Sequence, residues 1–319
     1  MALSVFVWEV RALRYYTIGG TLVVKGDFDG LSTGIDGGRQ RVGAVLNHEV
    51  GLDFNEDDPV GHMDSVASGL GIERPYFSFM TAVHMENLCV IRDQQVTAFI
   101  TAGIANPCHD PSTPGTINII LVVHGIMSEG AMASAIITAT EAKAKALFDM
   151  GLDFTGTTTD AVAVLSEERN TSACEPARFE YSGTATDIGQ SIYRCVKKGV
   201  SEGIKRQHAA AGSEDHRSRL FAYAIGKNGP YWIEHPRENC GKGKCEYYPC
   251  HFQGQDCTHC FCPLYPCEDP GLGEWIKSGR GYAVWTCKDC ILLHNKKTVD
   301  YLAKHPDAGT GALKQRLKD

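Results

Sequence analysis

Short apolar runs recur along roughly the first two hundred residues, and their lengths are those of β-strands rather than of membrane spans. The run Ile117–His124 is continuous and rich in β-branched residues, which is typical of a central strand buried on both faces. Leu88–Arg92 and Val96–Thr101 are joined by three polar residues, a spacing that predicts a hairpin. The remaining predicted strands are Thr21–Lys25, Arg41–Asn47, Phe77–Val83 and Thr155–Leu165.

Two segments with helical periodicity lie among these strands. Ser128 is a predicted N-cap for a helix that runs to about Met150, with Gly151 just past its end. Its apolar stripe is predicted to contain Ala133, Ile137, Thr140, Ala144 and Leu147. A second helix begins at Thr186 or Asp187 and has an apolar face of Ile188, Ile192, Cys195 and Val196. Together the elements predict an α+β or mixed α/β fold, in which helices cover a hairpin-rich sheet.

Charge and cysteine content divide the chain near residue 236. The residues before Arg237 contain 19 Lys/Arg against 28 Asp/Glu, whereas those from Arg237 onward contain 12 against 10. Nine of the 13 cysteines lie between Cys240 and Cys290. We therefore expect a main domain over 1–236 and a small cysteine-rich domain over 237–319. The acidic balance of the main domain argues against nucleic acid as its principal partner.

No stretch of the sequence is long and apolar enough to predict a transmembrane helix, so no membrane partner is expected. The segment Met1–Leu13 is apolar, but it contains Glu9 and Arg11 and lacks both a basic n-region and a cleavage site. These features predict a cytoplasmic protein. The sequence leaves the oligomeric state open.

Two clusters of small polar residues flank the predicted strand–helix–strand unit between Gly115 and Leu165. Gly115-Thr116-Ile117-Asn118 precedes the unit, and Gly156-Thr157-Thr158-Thr159-Asp160 lies at its other end along the chain. Backbone N–H groups of such turns can hold an oxyanion, and hydroxyls with a carboxylate can position or activate a nucleophile. Asp160 is the leading candidate for a general base or an orienting carboxylate. The main domain shows no dinucleotide-binding glycine motif, phosphate loop, nucleophile elbow or metal-ligand cluster.

Seven segments, in order, resemble the adenosylcobinamide amidohydrolases of corrinoid salvage, and together they cover roughly residues 15–205. The segments are Leu31-Ser32-Thr33-Gly34-Ile35-Asp36-Gly37-Gly38, Val45-Leu46-Asn47, Met80-Thr81-Ala82, Thr101-Ala102-Gly103-Ile104-Ala105-Asn106, Gly115-Thr116-Ile117-Asn118, Thr138-Ala139-Thr140-Glu141-Ala142-Lys143 and Gly156-Thr157-Thr158-Thr159-Asp160-Ala161-Val162. The region from about Asn239 to His294 resembles the small cysteine-rich domain that follows this catalytic domain in some archaeal members.

The resemblance implies hydrolysis of the amide that links the aminopropanol arm to the corrin ring of adenosylcobinamide, with adenosylcobyric acid and aminopropanol as products. The corrinoid is then the small-molecule partner, its cobalt belongs to the substrate, and the chemistry requires no cofactor. The nucleophile is either water or a threonine hydroxyl. An alternative is a corrinoid-binding or zinc-binding regulatory module without catalysis, because Cys108–Ser112 replaces the Gly/Ala-rich connection expected before Gly115.

The candidate site residues come from these segments. The predicted catalytic residues are Asp160, Thr158, Thr159 and Asn118, with Asn118 or backbone N–H groups at the oxyanion. The predicted substrate-binding residues are Asn47, Thr81, Asn106, Thr116, Gly37 and Gly38. Asparagine and threonine suit a corrinoid because its rim carries many carboxamides.

The cysteine-rich region has the spacing of metal-binding knuckles. Cys257-x2-Cys260 and Cys287-x2-Cys290 are separated by 26 residues, close to the spacing of a four-cysteine zinc site. A second site could use Cys245, Cys250, Cys262 and Cys267, with Cys240, His251, His259 and His294 nearby. Structural zinc is the favoured prediction, and an iron–sulfur cluster, disulfides or redox cysteines are the alternatives. A domain this small with few aliphatic side chains needs a bound metal or covalent cross-links to be stable.

Overall fold

The computed structural model describes residues 14–52, 54–104, 115–167, 176–210, 221–226, 229–234, 249–259, 262–265, 267, 269–277, 283–305 and 308–318. Its strands are β1 (Arg14–Ile18), β2 (Thr21–Ser32), β3 (Gly38–Glu49), β4 (Tyr76–Thr81), β5 (Cys89–Asp93), β6 (Val96–Gly103), β7 (Thr116–His124), β8 (Ile126–Met127), β9 (Ala161–Glu167), β10 (Arg178–Phe179), β11 (Phe221–Gly226), β12 (Gly229–Glu234), β13 (Glu274–Lys277) and β14 (Ala283–Thr286). Its helices are α1 (Pro59–Gly69), α2 (Glu129–Asp149), α3 (Asp187–Ala210), α4 (Lys296–Lys304) and α5 (Thr310–Lys318), with short 3-10 turns at Met85–Asn87 and Leu292–His294.

Ten of the described strands form one mixed sheet. Their order is β12-β11-β5-β6-β7-β9-β2-β3-β4, and β1 pairs with β2. Most neighbours are antiparallel, whereas β3–β4, β7–β9 and β5–β11 are parallel. The predicted β5–β6 hairpin is present, and its turn places Gln94 at a positive φ of 52°. The structure confirms the predicted mixed α/β class and its hairpin-rich sheet.

The sheet curves until its β2-β3-β4 half faces its β5-β6-β7 half. Tyr15 of β1 packs edge-on against Phe99 of β6, with 4.9 Å between the ring centroids. Across the same gap, Asn118 of β7 donates a hydrogen bond of 2.8 Å to the Met80 carbonyl of β4. The enclosed core includes Phe28, Phe77, Phe99, Ile120 and Leu165. Burial of these large apolar side chains stabilises the curvature, and polar groups gather where the curved sheet opens at one edge.

Helices cover the outer face of the curved sheet on both of its halves. Helices α2 and α3 pack on β5, β6, β7 and β9 through a core that includes Ile100, Ile119, Val164, Ile192 and Val196. On the other half, Met63 and Ala67 of α1 pack against Leu46 and Tyr76. The predicted apolar face of α3 is confirmed, and Thr186 caps that helix by accepting a hydrogen bond from the Gly189 amide at 3.0 Å.

Helix α2 has the predicted ends but a different buried face. The Ser128 hydroxyl accepts the Ala131 amide at 3.1 Å, and Gly151 follows the helix at a φ of 79°. The predicted apolar stripe is wrong, because Leu147 is its single buried member and Ile137 is 60% exposed. The residues that α2 buries are Ala131, Met132, Ala135, Thr138, Ala139, Ala142, Lys143, Ala146 and Leu147. Alanines are spread around this helix, so its two sides differ little in apolar character, and contact with the sheet selects the face.

The segment before β9 is a turn rather than the predicted strand, since β9 begins at Ala161. The Asp160 carboxylate folds back and accepts the Thr157 amide at 3.1 Å, which closes the turn over 156–160. Thr157, Thr158 and Thr159 therefore do not alternate between two faces, as they would in an extended strand. The turn instead places the three side chains in different surroundings.

The cysteine-rich region builds a small core of its own among the described residues. Strands β13 and β14 form an antiparallel hairpin, and α4 and α5 pack around Leu264, Leu292, Leu293, Leu302 and Leu313. The guanidinium of Arg92 on β5 lies 4.9 Å from the Tyr265 ring centroid and donates to the Cys262 carbonyl at 3.5 Å. These contacts link the region to β5. The division at residue 236 falls outside the described residues and stays a prediction.

Candidate active site

An open cavity of about 910 Å³ lies at the edge of the sheet where β7 and β9 begin and β4 ends. Because β7 and β9 are parallel neighbours, Asn118 is in register with Ala161. The two polar clusters that flank the unit in sequence therefore lie side by side. The cavity lining combines apolar residues (Ile35, Val50, Leu52, Phe54, Phe79 and Met80) with polar ones (Thr81, Thr116, Asn118, Thr158, Thr159 and Asp160). A concave site of this size with a few polar groups is typical of cofactor-sized ligands.

The Asp160 carboxylate lines the cavity, and both of its oxygens already have partners. Oδ1 accepts the Ile117 amide at 2.9 Å and the Thr157 hydroxyl. Oδ2 accepts the Thr157 amide at 3.1 Å and pairs with Lys143 Nζ. The carboxylate thus joins the start of β7, the turn before β9 and helix α2. Of the two roles predicted for Asp160, this arrangement favours the orienting carboxylate, because no lone pair is left free for a substrate proton.

The three threonines of the turn have different environments. Thr157 is held by Asp160, and the Thr159 hydroxyl donates to the Gly115 carbonyl at 3.0 Å. Thr158 is exposed and lines the cavity, and within the described residues neither its hydroxyl nor its amide forms a hydrogen bond. Thr158 is therefore the threonine whose hydroxyl is available to a bound molecule.

Asn118 is at the cavity wall, but its side-chain donors are occupied. Its Nδ2 donates to Asn47 Oδ1 at 3.0 Å and to the Met80 carbonyl at 2.8 Å, while its Oδ1 accepts the Thr116 hydroxyl at 3.0 Å. With both N–H bonds used, the amide has no donor left for an oxyanion, so of the two predicted oxyanion groups the geometry favours backbone N–H. Asn118 fixes the junction of β7 with β4 instead.

The predicted substrate-binding residues fall into two groups. Thr81 and Thr116 line the cavity, and Thr81 accepts the Val83 amide at 3.1 Å while its own proton has no acceptor among the described residues. Asn47 lies behind the wall, 1% exposed, and donates to the Thr101 hydroxyl at 2.9 Å. Gly37 and Gly38 do not line the cavity; they turn the chain into β3, with Gly38 at a φ of 106°. Asn106 lies outside the described residues.

Sequence reasoning did not identify three features of the site. Lys143 is nearly buried on α2 and forms the ion pair with Asp160. Asn55 and Leu52, in the loop between β3 and α1, are exposed at the cavity, and Leu52 is 67% exposed. Loop residues give no periodic signal. A lysine in an apparently solvent-facing helical position gives no sign that it is buried.

Two histidines support the loop that forms one cavity wall. His62 on α1 bonds Glu56 at 2.9 Å and packs edge-on against Phe54, while His48 bonds the Thr21 hydroxyl at 2.8 Å. The two imidazoles lie 5.6 Å apart. Burial lowers the pKa of His48, nearby His62 lowers it further, and Glu49 opposes this. Neither imidazole lines the cavity.

The described thiols of the cysteine-rich region lie in two groups. Cys262, Cys267 and Cys290 pack against one small apolar core, and Cys290 follows Cys287 in a tight turn. Burial raises the pKa of Cys262 to about 12 and that of Cys287 to about 11, and neighbouring thiolates add to both shifts. The described cysteines are free thiols.

A second group surrounds Gln255, whose Nε2 donates to Cys250 Sγ and Cys257 Sγ, each at 3.1 Å. The rings of His251 and His294 lie 4.4 Å apart. Cys245 and Cys260 lie outside the described residues. Among the side chains that are described, no three His, Cys, Asp or Glu are placed closely enough to hold a metal ion.

In the parts of the chain that the structure describes, no helix is long and apolar enough to cross a membrane.

Comparisons with known proteins match both parts of the chain. The profile of the adenosylcobinamide amidohydrolase family matches residues 21–212, and that of a cysteine-rich small domain matches residues 237–316. An adenosylcobinamide amidohydrolase from Methanosarcina mazei is 42% identical over 196 residues, which is 60% of this chain and 98% of that protein. One from Halobacterium salinarum is 28% identical over 198 residues, covering 57% of this chain and 82% of that protein.

A shorter similarity concerns a probable cobalt-factor III C(17)-methyltransferase from Methanothermobacter thermautotrophicus. It is 47% identical over 66 residues, which is 20% of this chain and 16% of that protein.

The family profile covers more than half of this chain and includes every element that lines the cavity. The chain therefore belongs to the adenosylcobinamide amidohydrolase family, and it is an amidohydrolase.

Proposed function

We propose that this protein hydrolyses the amide between the aminopropanol arm and the corrin ring of adenosylcobinamide. The C–N bond breaks, water supplies hydroxyl to the acyl carbon and a proton to the amine, and the products are adenosylcobyric acid and aminopropanol. This reaction would return a salvaged corrinoid to cobalamin synthesis. The main support is the cavity within the family domain, which the Thr158 hydroxyl lines from a turn held by Asp160.

The cavity suits a large ring with amide side arms. Its apolar wall, formed by residues such as Leu52, Phe54 and Phe79, matches the flat apolar face of a corrin. The cavity lining also carries the Thr81 hydroxyl and the exposed amide of Asn55, which match its carboxamides. The ring would rest on the apolar wall and present its aminopropanol arm to Thr158.

In this arrangement the turn over 156–160 performs the chemistry. The Thr158 hydroxyl lies where it can attack the acyl carbon itself or hold the attacking water. The backbone N–H groups of Thr158 and Thr159 form no hydrogen bond within the described residues, so they can receive the oxyanion. Asp160 holds the turn in place, and its role is positioning.

The test combines an amine-release assay with a spectral titration of the corrinoid. Purified protein should release aminopropanol in an amount equal to the corrinoid consumed. Thr158→Ala should bind corrinoid with unchanged affinity but release amine far more slowly. A protein that shifts the corrinoid spectrum without releasing amine would act as a binding module and would contradict the proposal.

For the cysteine-rich region, we propose structural zinc bound by the thiols of the two Cys-x2-Cys knuckles, Cys257/Cys260 and Cys287/Cys290, as their spacing predicts. The support is the type of donor and the knuckle spacing, because cysteine thiolates are soft ligands that suit zinc. Bound zinc would join the first knuckle to the second and supply no catalytic step. Metal analysis of purified protein should give zinc, and removal by chelator should lower the melting temperature while amine release persists. A brown chromophore with stoichiometric iron would contradict zinc.

A further inference from the structure

We infer that Lys143 is a positioning residue of the reaction: its buried ammonium holds Asp160, and through Asp160 the turn that presents Thr158. The substrate in this inference is the one given by the proposed function, whereas the choice of Lys143 comes from the geometry of α2. Lys143 Nζ pairs with Asp160 Oδ2, and their side chains are 9% and 10% exposed.

The first line of support is where the lysine lies. Every other side chain that α2 buries is alanine, leucine, methionine or threonine, so Lys143 is the one charged group on that face. Burial of an ammonium is unfavourable unless it is paired and hydrogen-bonded. Lysines that serve solubility remain on exposed faces, as Lys145 does on this helix with its partner Asp149.

The second line of support is the backbone around the pair. A Cβ at Gly156 would collide with Asp160 Oδ2 and with Lys143 Nζ. A side chain at position 156 would therefore displace one of the two charged groups. The packing of the turn thus depends on the ion pair that joins it to helix α2.

The third line of support is what the pair controls. Asp160 accepts the amides of Ile117 and Thr157, which begin β7 and the turn. Lys143 does not line the cavity, and it neutralises the carboxylate from the side away from the cavity. Loss of the ammonium leaves the carboxylate with a buried, unpaired charge, and the carboxylate would then move toward solvent and release the turn. Thr158 would lose its position relative to the scissile amide.

The experiment compares Lys143→Met, Lys143→Arg and Asp160→Asn with the matched control Lys145→Met. For folded protein, Lys143→Met should lower kcat about 100-fold with KM within about threefold, because a displacement near 1 Å at the reacting group costs that much. Lys143→Arg should recover part of the loss by keeping the charge. Lys143→Met/Asp160→Asn should be no slower than Asp160→Asn alone, and Lys145→Met should match the wild type.

Hydrogen exchange of the peptide spanning 154–161 gives a readout that does not depend on the substrate. It should accelerate in Lys143→Met and Asp160→Asn but not in Lys145→Met. If wild-type protein releases no aminopropanol, the proposed function fails while exchange still decides whether Lys143 holds the turn. Folded Lys143→Met with wild-type kcat, or with unchanged exchange in 154–161, would overturn the inference. A lower melting temperature with unchanged kcat would likewise show a purely structural lysine.

Discussion

Asn47 and Asn118 lie on β3 and β7, strands that are separated by two others in the sheet, yet Asn118 Nδ2 donates to Asn47 Oδ1 at 3.0 Å. The contact exists because the curved sheet brings its two halves together at the cavity edge. Thr101 and the Met80 carbonyl complete the network. A buried polar network of this kind fixes the relative position of the two halves, provided that every member is satisfied.

Asn47→Ala should therefore reduce stability more than a surface change does. The substitution removes the acceptor of one of the two Asn118 Nδ2 N–H bonds and the amide that donates to the Thr101 hydroxyl, which costs about 1–3 kcal/mol of unfolding free energy. Urea denaturation followed by tryptophan fluorescence measures this loss. Asn55→Ala is the matched control, because Asn55 is exposed. Equal midpoints for the two variants would show that the network contributes nothing.

The free hydroxyl of Thr158 predicts an unequal response among the three threonines. Thr158→Ala should lower kcat by about two orders of magnitude or more, the size expected for a lost nucleophile or water-positioning group. Thr159→Ala loses only a hydrogen bond to Gly115 and should cost less than about tenfold in kcat. Thr158→Ser should retain most of the activity. If both alanine variants reduced kcat equally, Thr158 would have no special role.

The loop between β3 and α1 should control affinity rather than rate. Leu52→Asp places a charge on the apolar wall proposed to face the corrin, and Asn55→Ala removes an exposed amide from the cavity lining. Both should raise KM several-fold and leave kcat nearly unchanged, since these contacts are equal in the ground and transition states. Steady-state kinetics of amine release decides this. Leu70, which lies at the far end of α1, provides the control as Leu70→Ala.

Stability should fall on the acid side of neutrality because of His48. Its pKa in the folded protein is below the usual value of 6.5, through burial first and then through His62, against the opposing pull of Glu49. The unfolded chain then binds more protons as pH falls, so the stabilisation is complete above about pH 6.5 and is lost as pH falls through the lowered pKa. His48→Gln should flatten this part of the profile, measured by denaturation between pH 5 and about 8. An unchanged slope would assign the acid sensitivity to other groups.

The elements with strong patterns could be predicted from the sequence. Strand β7 is uniformly apolar and buried from Ile119 to Val123, as is the predicted face of α3, so composition alone identifies them. Helix α2 shows the limit. Its alanines give little contrast between faces, and the predicted stripe placed Ile137 inside, although Ile137 is 60% exposed. The error matters because the true buried face carries Lys143.

The candidate site was only partly predictable for a related reason. The polar clusters before β7 and β9 were identified as sequence segments, but their meeting depends on a parallel pairing that no local pattern encodes. The turn over 156–160 was predicted as strand because threonine favours strands, and the Asp160 carboxylate reverses that preference by binding the Thr157 amide.

Mass spectrometry of adenosylcobinamide incubated with the purified protein in H2-18O tests the central claim most directly. The account predicts adenosylcobyric acid carrying one 18O in its new carboxyl group, together with unlabelled aminopropanol. Intact adenosylcobinamide, recovered after incubation with folded protein, would contradict it.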